Sequence, residues 1–346
     1  MSADEEGEWH YNHNLKGDPA FLPRVGWMSA VMRGHAAVAA GLGIEVPVLM
    51  LISNRSDPSR TWNDDMHRAD LVLDVDARMI SSLRAFGPDV VWPLVHGGPG
   101  EDGGLQNVLI ALGLPYVGTH SDGCQRASFK PTAKAMVRTG GVLTPDSVTL
   151  PKTYFSQLGA QEVLGVVAAH LDLPVVVKPN QGGSGLGVSL AEDADELRSA
   201  MVACFAYDER ALIESYVPGR EIAVSVVDTG DGPRPLPPVE VVTDGEYDFD
   251  ARYNPGRSEY FVPARLTAAE FALVQETAMT VHRTLGLGNL SRTDLILDDA
   301  GTPWFIDVNV VPGMTETSLL PLAAEAEGGL PELYDALVRH PLVTPS

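Results

Sequence analysis

Cysteine is almost missing from this chain of 346 residues: Cys124 and Cys204 stand far apart and have no companions. Two such thiols exclude a disulfide framework and a cysteine zinc site, and they suit a reducing cytoplasm. Positive charge is scarce too. Twenty-four Lys and Arg face 46 Asp and Glu, a net charge of −22, which repels nucleic acid and anionic membranes over the whole surface. No apolar run approaches the roughly 20 residues of a membrane span, and the acidic start Met1-Ser-Ala-Asp-Glu-Glu is not followed by a signal-peptide stretch. Fixed-period repeats and low-complexity tracts are missing as well. The expectation is a soluble, cytoplasmic protein with neither nucleic-acid nor membrane partners. An acidic chain that binds a polyphosphate must gather its cations locally, and Lys130, Lys178, Arg252 and Arg292 are the candidates.

What is present begins with length, which suits two or three domains with their own cores. Val46–Ile52 reads as a buried strand after a helix from Gly26 to Leu42, and Leu71–Val75 reads as a second strand. A helix near Ala77–Ala85 leads to strand Val90–Val95, which ends in His96-Gly-Gly-Pro-Gly-Glu-Asp-Gly. Strands and helices alternating in this way predict an α/β fold that starts with a parallel, doubly wound sheet. Further on, helices are predicted over Lys130–Gly140, Gln161–His170, Asp193–Ala203 and Ala268–Leu285. Ala211–Val227 reads as two strands joined through Val217-Pro-Gly-Arg, within a mixed or antiparallel second sheet. Thr243–Ser258 carries too many turn formers for a core element and reads as a long loop, a length that is uncommon without a function.

Val175-Val-Val-Lys178-Pro-Asn-Gln-Gly-Gly-Ser184-Gly-Leu-Gly-Val188 delivers a lysine from an apolar strand into a glycine-rich loop. Such a loop lets backbone N–H groups approach anionic oxygens. On its own the stretch fits a structural turn as well as a nucleotide site. It is neither Gly-x-x-x-x-Gly-Lys-Ser/Thr nor a Gly-x-Gly-x-x-Gly that opens a helix. Strands Ser291–Leu297 and Pro303–Asn309, joined by Asp298-Asp-Ala-Gly301, would bring Asp294 beside Asp307 and Asn309, and the last two share a face by the period of two. Oxygen donors converging in this way suit magnesium completed by phosphate oxygens and water. Two solvated strand-end carboxylates are the other reading.

Several motifs then occur in an order that resembles the D-alanine–D-alanine ligases of the ATP-grasp superfamily, over about residues 74–335. They are His96-Gly-Gly-Pro-Gly-Glu-Asp-Gly-Gly-Leu-Gln106, Leu114-Pro-Tyr-Val-Gly118, Val177-Lys-Pro with its glycine loop, Tyr247-Asp-Phe-Asp-Ala-Arg-Tyr253, Ser291-Arg-Thr-Asp294, and Asp307-Val-Asn-Val-Val-Pro-Gly-Met-Thr-Glu-Thr-Ser-Leu319. The resemblance implies central and C-terminal ATP-grasp lobes, with Lys130, Lys178 and Arg252 on the ATP phosphates and Ser184 over the site. It implies Glu214 and the backbone near Val217 at the adenine, Glu221 at the ribose, and Asp294, Asp307 and Asn309 around Mg2+ or Mn2+. Arg292 and the Gly313 amide would stabilise an oxyanion, and Ser318 and Leu319 would hold the second amino acid's carboxylate. His96 would lie near the first substrate, and Glu101 would orient Ser184 or Tyr253, although a capped strand-to-helix turn explains both residues equally well. Tyr253 matches the tyrosine that favours an amine acceptor, with a plain loop aromatic as the alternative.

The implied activity is ATP-dependent joining of two D-alanines through an acyl phosphate, for peptidoglycan precursors, by a possible homodimer. The pattern also breaks in places. Nothing in residues 1–73 resembles the family's opening glycine–serine loop and its glutamate; residues 9–75 instead resemble the C-terminal part of an α/β-hydrolase, without an upstream Gly-x-Ser-x-Gly. The chain therefore reads as a fusion with limits at 1–79, 80–122, 123–213 and 214–346. Asp307 stands where the family has glutamate, and Arg252 and Phe129 replace its lysine and aspartate. Two other outcomes stay open: an ATP-binding fusion that has lost the first D-alanine site, or a ligase for another amino or hydroxy acid.

Overall fold

In the computed structural model the described residues are 2–3, 9–10, 48–52, 71–183, 185–243, 258–314 and 318–341. The helix predicted from Gly26 to Leu42, residues 244–257 of the long loop, and Ser184, Arg252 and Tyr253 lie outside them.

Apolar runs bounded by turn formers give the first sheet, which is three-stranded and parallel as expected. Val48–Ile52 is its middle strand, flanked by Leu71–Asp74 and Val90–Leu94. All five residues of Val90–Leu94 are buried, as befits a parallel strand covered on both faces. Helices Met79–Phe86 and Gly104–Leu112 supply Leu83 and Leu109 to its core, against Val91 and Tyr116. Strand Val48–Ile52 falls in the hydrolase-like stretch and Val90–Leu94 in the ligase-like stretch, yet the two share one hydrogen-bonded ladder.

The second sheet is antiparallel, ordered Ser147–Pro151, Arg210–Ser215, Val175–Pro179, Ser189–Ala191. Helices Ala160–Leu171 and Ala194–Cys204 cover one face and bury Leu164, Val167, Leu197 and Met201 against Val175, Val177 and Ile213. Asp193 caps the latter helix by accepting from the backbone N–H of Asp195 and Glu196, which satisfies two of its orphan donors.

The third sheet is also antiparallel, ordered Ser258–Phe261, Val239–Thr243, Arg220–Val227, Leu290–Leu297, Pro303–Asn309, with Arg234–Pro235 beside Arg220–Val227. Helix Ala268–Leu285 has the predicted limits, starts with a Thr267/Glu270 capping box and ends at Gly286 in the left-handed region. With helix Lys130–Thr139 it packs one face of the sheet, burying Val274, Ala278 and Val137 against Val224, Leu295 and Phe305. Helices Leu319–Ala326 and Leu330–Arg339 cover the other face, where Tyr334 meets Trp92 of the first sheet edge to face at 5.5 Å.

One expectation needs correction. Arg210–Ser215 and Arg220–Val227, read as consecutive strands through Val217-Pro-Gly-Arg, do not pair with each other; they belong to the second and third sheets. Pro218 offers no N–H to a ladder, and at Gly219 a Cβ would meet the Leu297 carbonyl oxygen at 2.4 Å. The segment therefore crosses between sheets.

Cys124 and Cys204 are both buried and free. Among the described residues, no helix is long and apolar enough to cross a membrane.

Candidate active site

A cleft of about 1110 Å³ opens between the second and third sheets. Its floor is charged because strand pairing puts opposite charges on one face. Val176 lies opposite Glu214 in the ladder, so Lys178, two residues on, is the diagonal neighbour of Glu214 on that face. Lys178 Nζ sits 2.6 Å from Glu214 Oε1 and donates to the Ile306 carbonyl at 3.3 Å. Ile306 is the residue left without a ladder partner where the register shifts beside Asp294 and Leu295, and this bulge turns its carbonyl toward the lysine.

Helix Lys130–Thr139 adds two more cations. Its buried stripe is Lys130, Ala133, Lys134, Val137, so two lysines four apart share the face turned inward. Lys130 Nζ donates to the Gly182 carbonyl at 2.9 Å and to Asp307 Oδ2 at 2.7 Å. Lys134 Nζ donates to Glu214 Oε2 at 2.6 Å. Each oxygen of Glu214 thus holds one ammonium. Burial pushes the Lys134 ammonium down to about 8 against the pull of Glu214. Burial also raises the Glu214 carboxyl, but Lys178 and Lys134 outweigh it and hold the group below its ordinary value.

The hairpin adjoins this floor. Register pairs Arg292 with Asn309 and Asp294 with Asp307, and the period of two turns all four side chains to one face. Arg292 grips Asp294 bidentately, Nε to Oδ1 at 2.7 Å and Nη2 to Oδ2 at 3.0 Å. Asp307 Oδ1 accepts from the Val308 N–H at 2.9 Å, and Asn309 Oδ1 from the Val311 N–H at 2.8 Å. Burial would raise the Asp307 carboxyl, yet Lys130 and Lys178 keep it below the usual carboxylate range. Two carboxylates and an amide oxygen on one strip are hard donors that fit Mg2+ or Mn2+, with phosphate and water for the remaining positions. Among the described residues, no cluster of three or more His, Cys, Asp or Glu could hold a metal.

Of the remaining candidates, Glu101, Val217, Glu221 and Leu319 line the cleft, whereas His96, Gly313 and Ser318 are not among its lining residues. Val217 borders the cleft on the segment that crosses between sheets, Glu221 from strand Arg220–Val227, and Leu319 from its helix. A Cβ on Gly313 would lie 2.6 Å from Ser318 Oγ, so these two residues are neighbours. Half-buried His96 bonds to the backbone at Val311; burial first, and then Arg292, lowers its pKa. Burial raises the Glu101 carboxyl, which approaches the glycine loop closely enough that a Cβ on Gly183 would lie 3.8 Å from Oε2.

Two features escaped the reading of the sequence. Lys134 was one, although its spacing from Lys130 with Ala133 and Val137 apolar was a visible signal. The other is Glu240, buried in the wall, which holds Arg265 through both oxygens at 2.9 and 2.8 Å while that guanidinium lies 3.5 Å from the Phe261 ring centre. Phe129 puts an aromatic ring under the Arg210 guanidinium, 5.8 Å away.

A family model described as D-ala D-ala ligase C-terminus matches residues 136–339. The D-alanine--D-alanine ligase of Moorella thermoacetica is 34% identical over 78% of this chain and 87% of its own length. The enzyme of that name from Halalkalibacterium halodurans is 37% identical over 74% and 82%. A crystal structure of D-alanine--D-alanine ligase from Bacillus anthracis complexed with ATP superposes with a TM-score of 0.68 at 27% identity, covering 85% of this chain and 96% of that one.

Proposed function

From its membership of the D-alanine–D-alanine ligase family, to which this chain belongs, we propose how its cleft divides the work of the reaction. The chain is an ATP-dependent ligase of ATP-grasp fold that joins two D-alanines, releasing ADP and phosphate. In its peptidoglycan setting the dipeptide serves as a cell-wall precursor. The single observation that carries the assignment of roles is the meeting of Lys178 and Lys130 with the Asp294, Asp307 and Asn309 strip in one cleft, where Lys130 bonds to Asp307 and Lys178 to the Ile306 carbonyl.

In the first step a carboxylate oxygen of one D-alanine attacks the γ-phosphorus of ATP, and ADP leaves. The acyl phosphate then has a leaving group that a free carboxylate lacks. In the second step the neutral amine of the other D-alanine attacks the acyl carbon, the acyl C–O bond breaks, and the amine's proton leaves with the departing phosphate as hydrogen phosphate. We assign Lys130 and Lys178 to the phosphates, Glu214, the Val217 backbone and Glu221 to the nucleoside, and Ser318 with Leu319 to the second carboxylate. Arg292 and the Gly313 amide would meet the oxyanion, a kind of contact whose loss costs on the order of 100 to 1,000-fold in rate. His96 and Glu101 would border the first D-alanine. Ser184, Tyr253 and Arg252 complete this assignment from the sequence motifs, as a cover, an acceptor-selecting group and a phosphate contact.

Asp294, Asp307 and Asn309 would hold Mg2+ or Mn2+, which when bound neutralises phosphate charge and polarises the transferred group. We retain 1–79, 80–122, 123–213 and 214–346 as the proposed lobes; Glu214 itself lies in strand Arg210–Ser215 of the central sheet. A cytoplasmic location is our reading from the use of ATP and the two buried free thiols, and a homodimer follows from family resemblance. Purified protein with ATP and magnesium is predicted to release ADP only when D-alanine is added, and Lys178→Ala is predicted to lose that release. ATP binding without D-alanine-dependent ADP would instead support an impaired fusion, and release driven by another amino or hydroxy acid would move the substrate assignment.

A further inference from the structure

Resting on the nucleotide reading of the cleft, we propose that Lys134 is a positioning residue: by holding Glu214 through Oε2 it leaves Oε1 to Lys178 and fixes that lysine as the nucleotide-facing cation. The cleft wall contains Lys178 and Glu214, while Lys134 lies behind them, 1% exposed. Both ion pairs measure 2.6 Å, and none of the three side chains is more than 5% exposed.

A buried charge is costly unless compensated, and one lysine would already compensate one glutamate. The second ammonium leaves the trio with a surplus positive charge in a chain of net charge −22. A surplus cation under a cleft is a burden for folding alone and an asset when an anion arrives. The trio therefore reads as a built electrostatic floor for a polyphosphate. Lys178 is the cation of the trio that lines the cleft, and Lys134 keeps the shared carboxylate ionised and aimed.

The charges acting on Lys134 are Glu214 and Lys178 from the sheet and Arg138 one turn along its own helix. Helix Ala268–Leu285 meets that helix at Gly140 through the uncharged Thr280 and Thr284, and Asp307 of the neighbouring strand is held by Lys130. Because Lys134 titrates at about 8, raising the pH through that value removes the surplus charge and one of the two partners of Glu214.

The test is calorimetric titration of the full chain with ADP and magnesium from pH 7 to 9.5. Wild type is predicted to lose affinity about tenfold over this range, the scale of one hydrogen bond to a charged group. Lys134→Met is predicted to bind about tenfold more weakly at pH 7 and to show a flat profile. Lys134→Arg, charged throughout, is predicted to recover affinity at pH 7 and to stay flat. A Lys134→Met chain that keeps both wild-type affinity and the decline overturns the proposal. A flat wild-type profile overturns it without any variant, so a variant that fails to fold does not rescue it. A wild type that binds ADP at no pH removes the nucleotide reading instead.

Discussion

At the scale of single residues, charge pairing governs the site. Asp307 accepts from Lys130 at 2.7 Å on one oxygen and from the Val308 N–H on the other, so a short carboxylate is fastened on both sides. Asp307→Asn keeps the shape but removes the charge that Lys130 and a divalent cation both use. Its rate of D-alanine-dependent ADP release is predicted to fall on the order of 100-fold, with the magnesium concentration for half-maximal rate raised. An unchanged magnesium dependence would take Asp307 out of the metal assignment. Glu214 and Asp307 are both held below their ordinary values, so the unfolded chain binds protons more readily than the folded one as pH falls. The stability they contribute is fully present above the ordinary carboxylate range and is lost as pH drops through their lowered values.

At the scale of elements, the segment between strands Arg210–Ser215 and Arg220–Val227 joins two sheets and lines the cleft through Tyr216, Val217 and Gly219. A methyl group at Gly219 would press on the Leu297 carbonyl at 2.4 Å and on the Ile296 side chain at 2.8 Å. Gly219→Ala is therefore predicted to cost about 1–3 kcal/mol in urea unfolding and to weaken ADP binding. The control is Gly165→Ala in helix Ala160–Leu171, where a Cβ meets nothing within 4 Å; it is predicted to stabilise by about 0.5–1 kcal/mol. Elements with strong local periodicity were legible: helix Ala268–Leu285 has the limits its apolar spacing implies, and the hairpin places Asp294 against Asp307 as alternation requires. Helix Ser121–Ser128 was not legible, because its sequence Ser-Asp-Gly-Cys-Gln-Arg-Ala-Ser carries almost no apolar stripe. Sheet membership was hidden too. Two strands joined through Val217-Pro-Gly-Arg read as members of one sheet until long-range pairing assigns them to different ladders. For the same reason the sequence offered Lys178 and Glu214 separately but not their sharing with Lys134, which depends on a helix remote from both strands.

At the scale of the whole molecule, an acidic chain concentrates a few cations where two antiparallel sheets face each other. Helix Lys130–Thr139 and strand Val175–Pro179 bring ammoniums into the cleft, and the hairpin ending at Asn309 brings oxygen donors beside them. The parallel sheet belongs to the same body, since Trp92 packs against Tyr334 of the C-terminal helix. Strand Val48–Ile52 is the middle of that sheet, so the unfamiliar N-terminal stretch contributes to the frame beside which His96 and Glu101 stand. Whether this frame supports both steps of ligation is decided by the product. Full-length protein incubated with ATP, magnesium and D-alanine, followed by mass spectrometry and nucleotide assay, is predicted to yield D-alanyl-D-alanine, ADP and phosphate in equal amounts. ADP and phosphate formed without dipeptide, or no turnover by a chain that binds ATP, would contradict it.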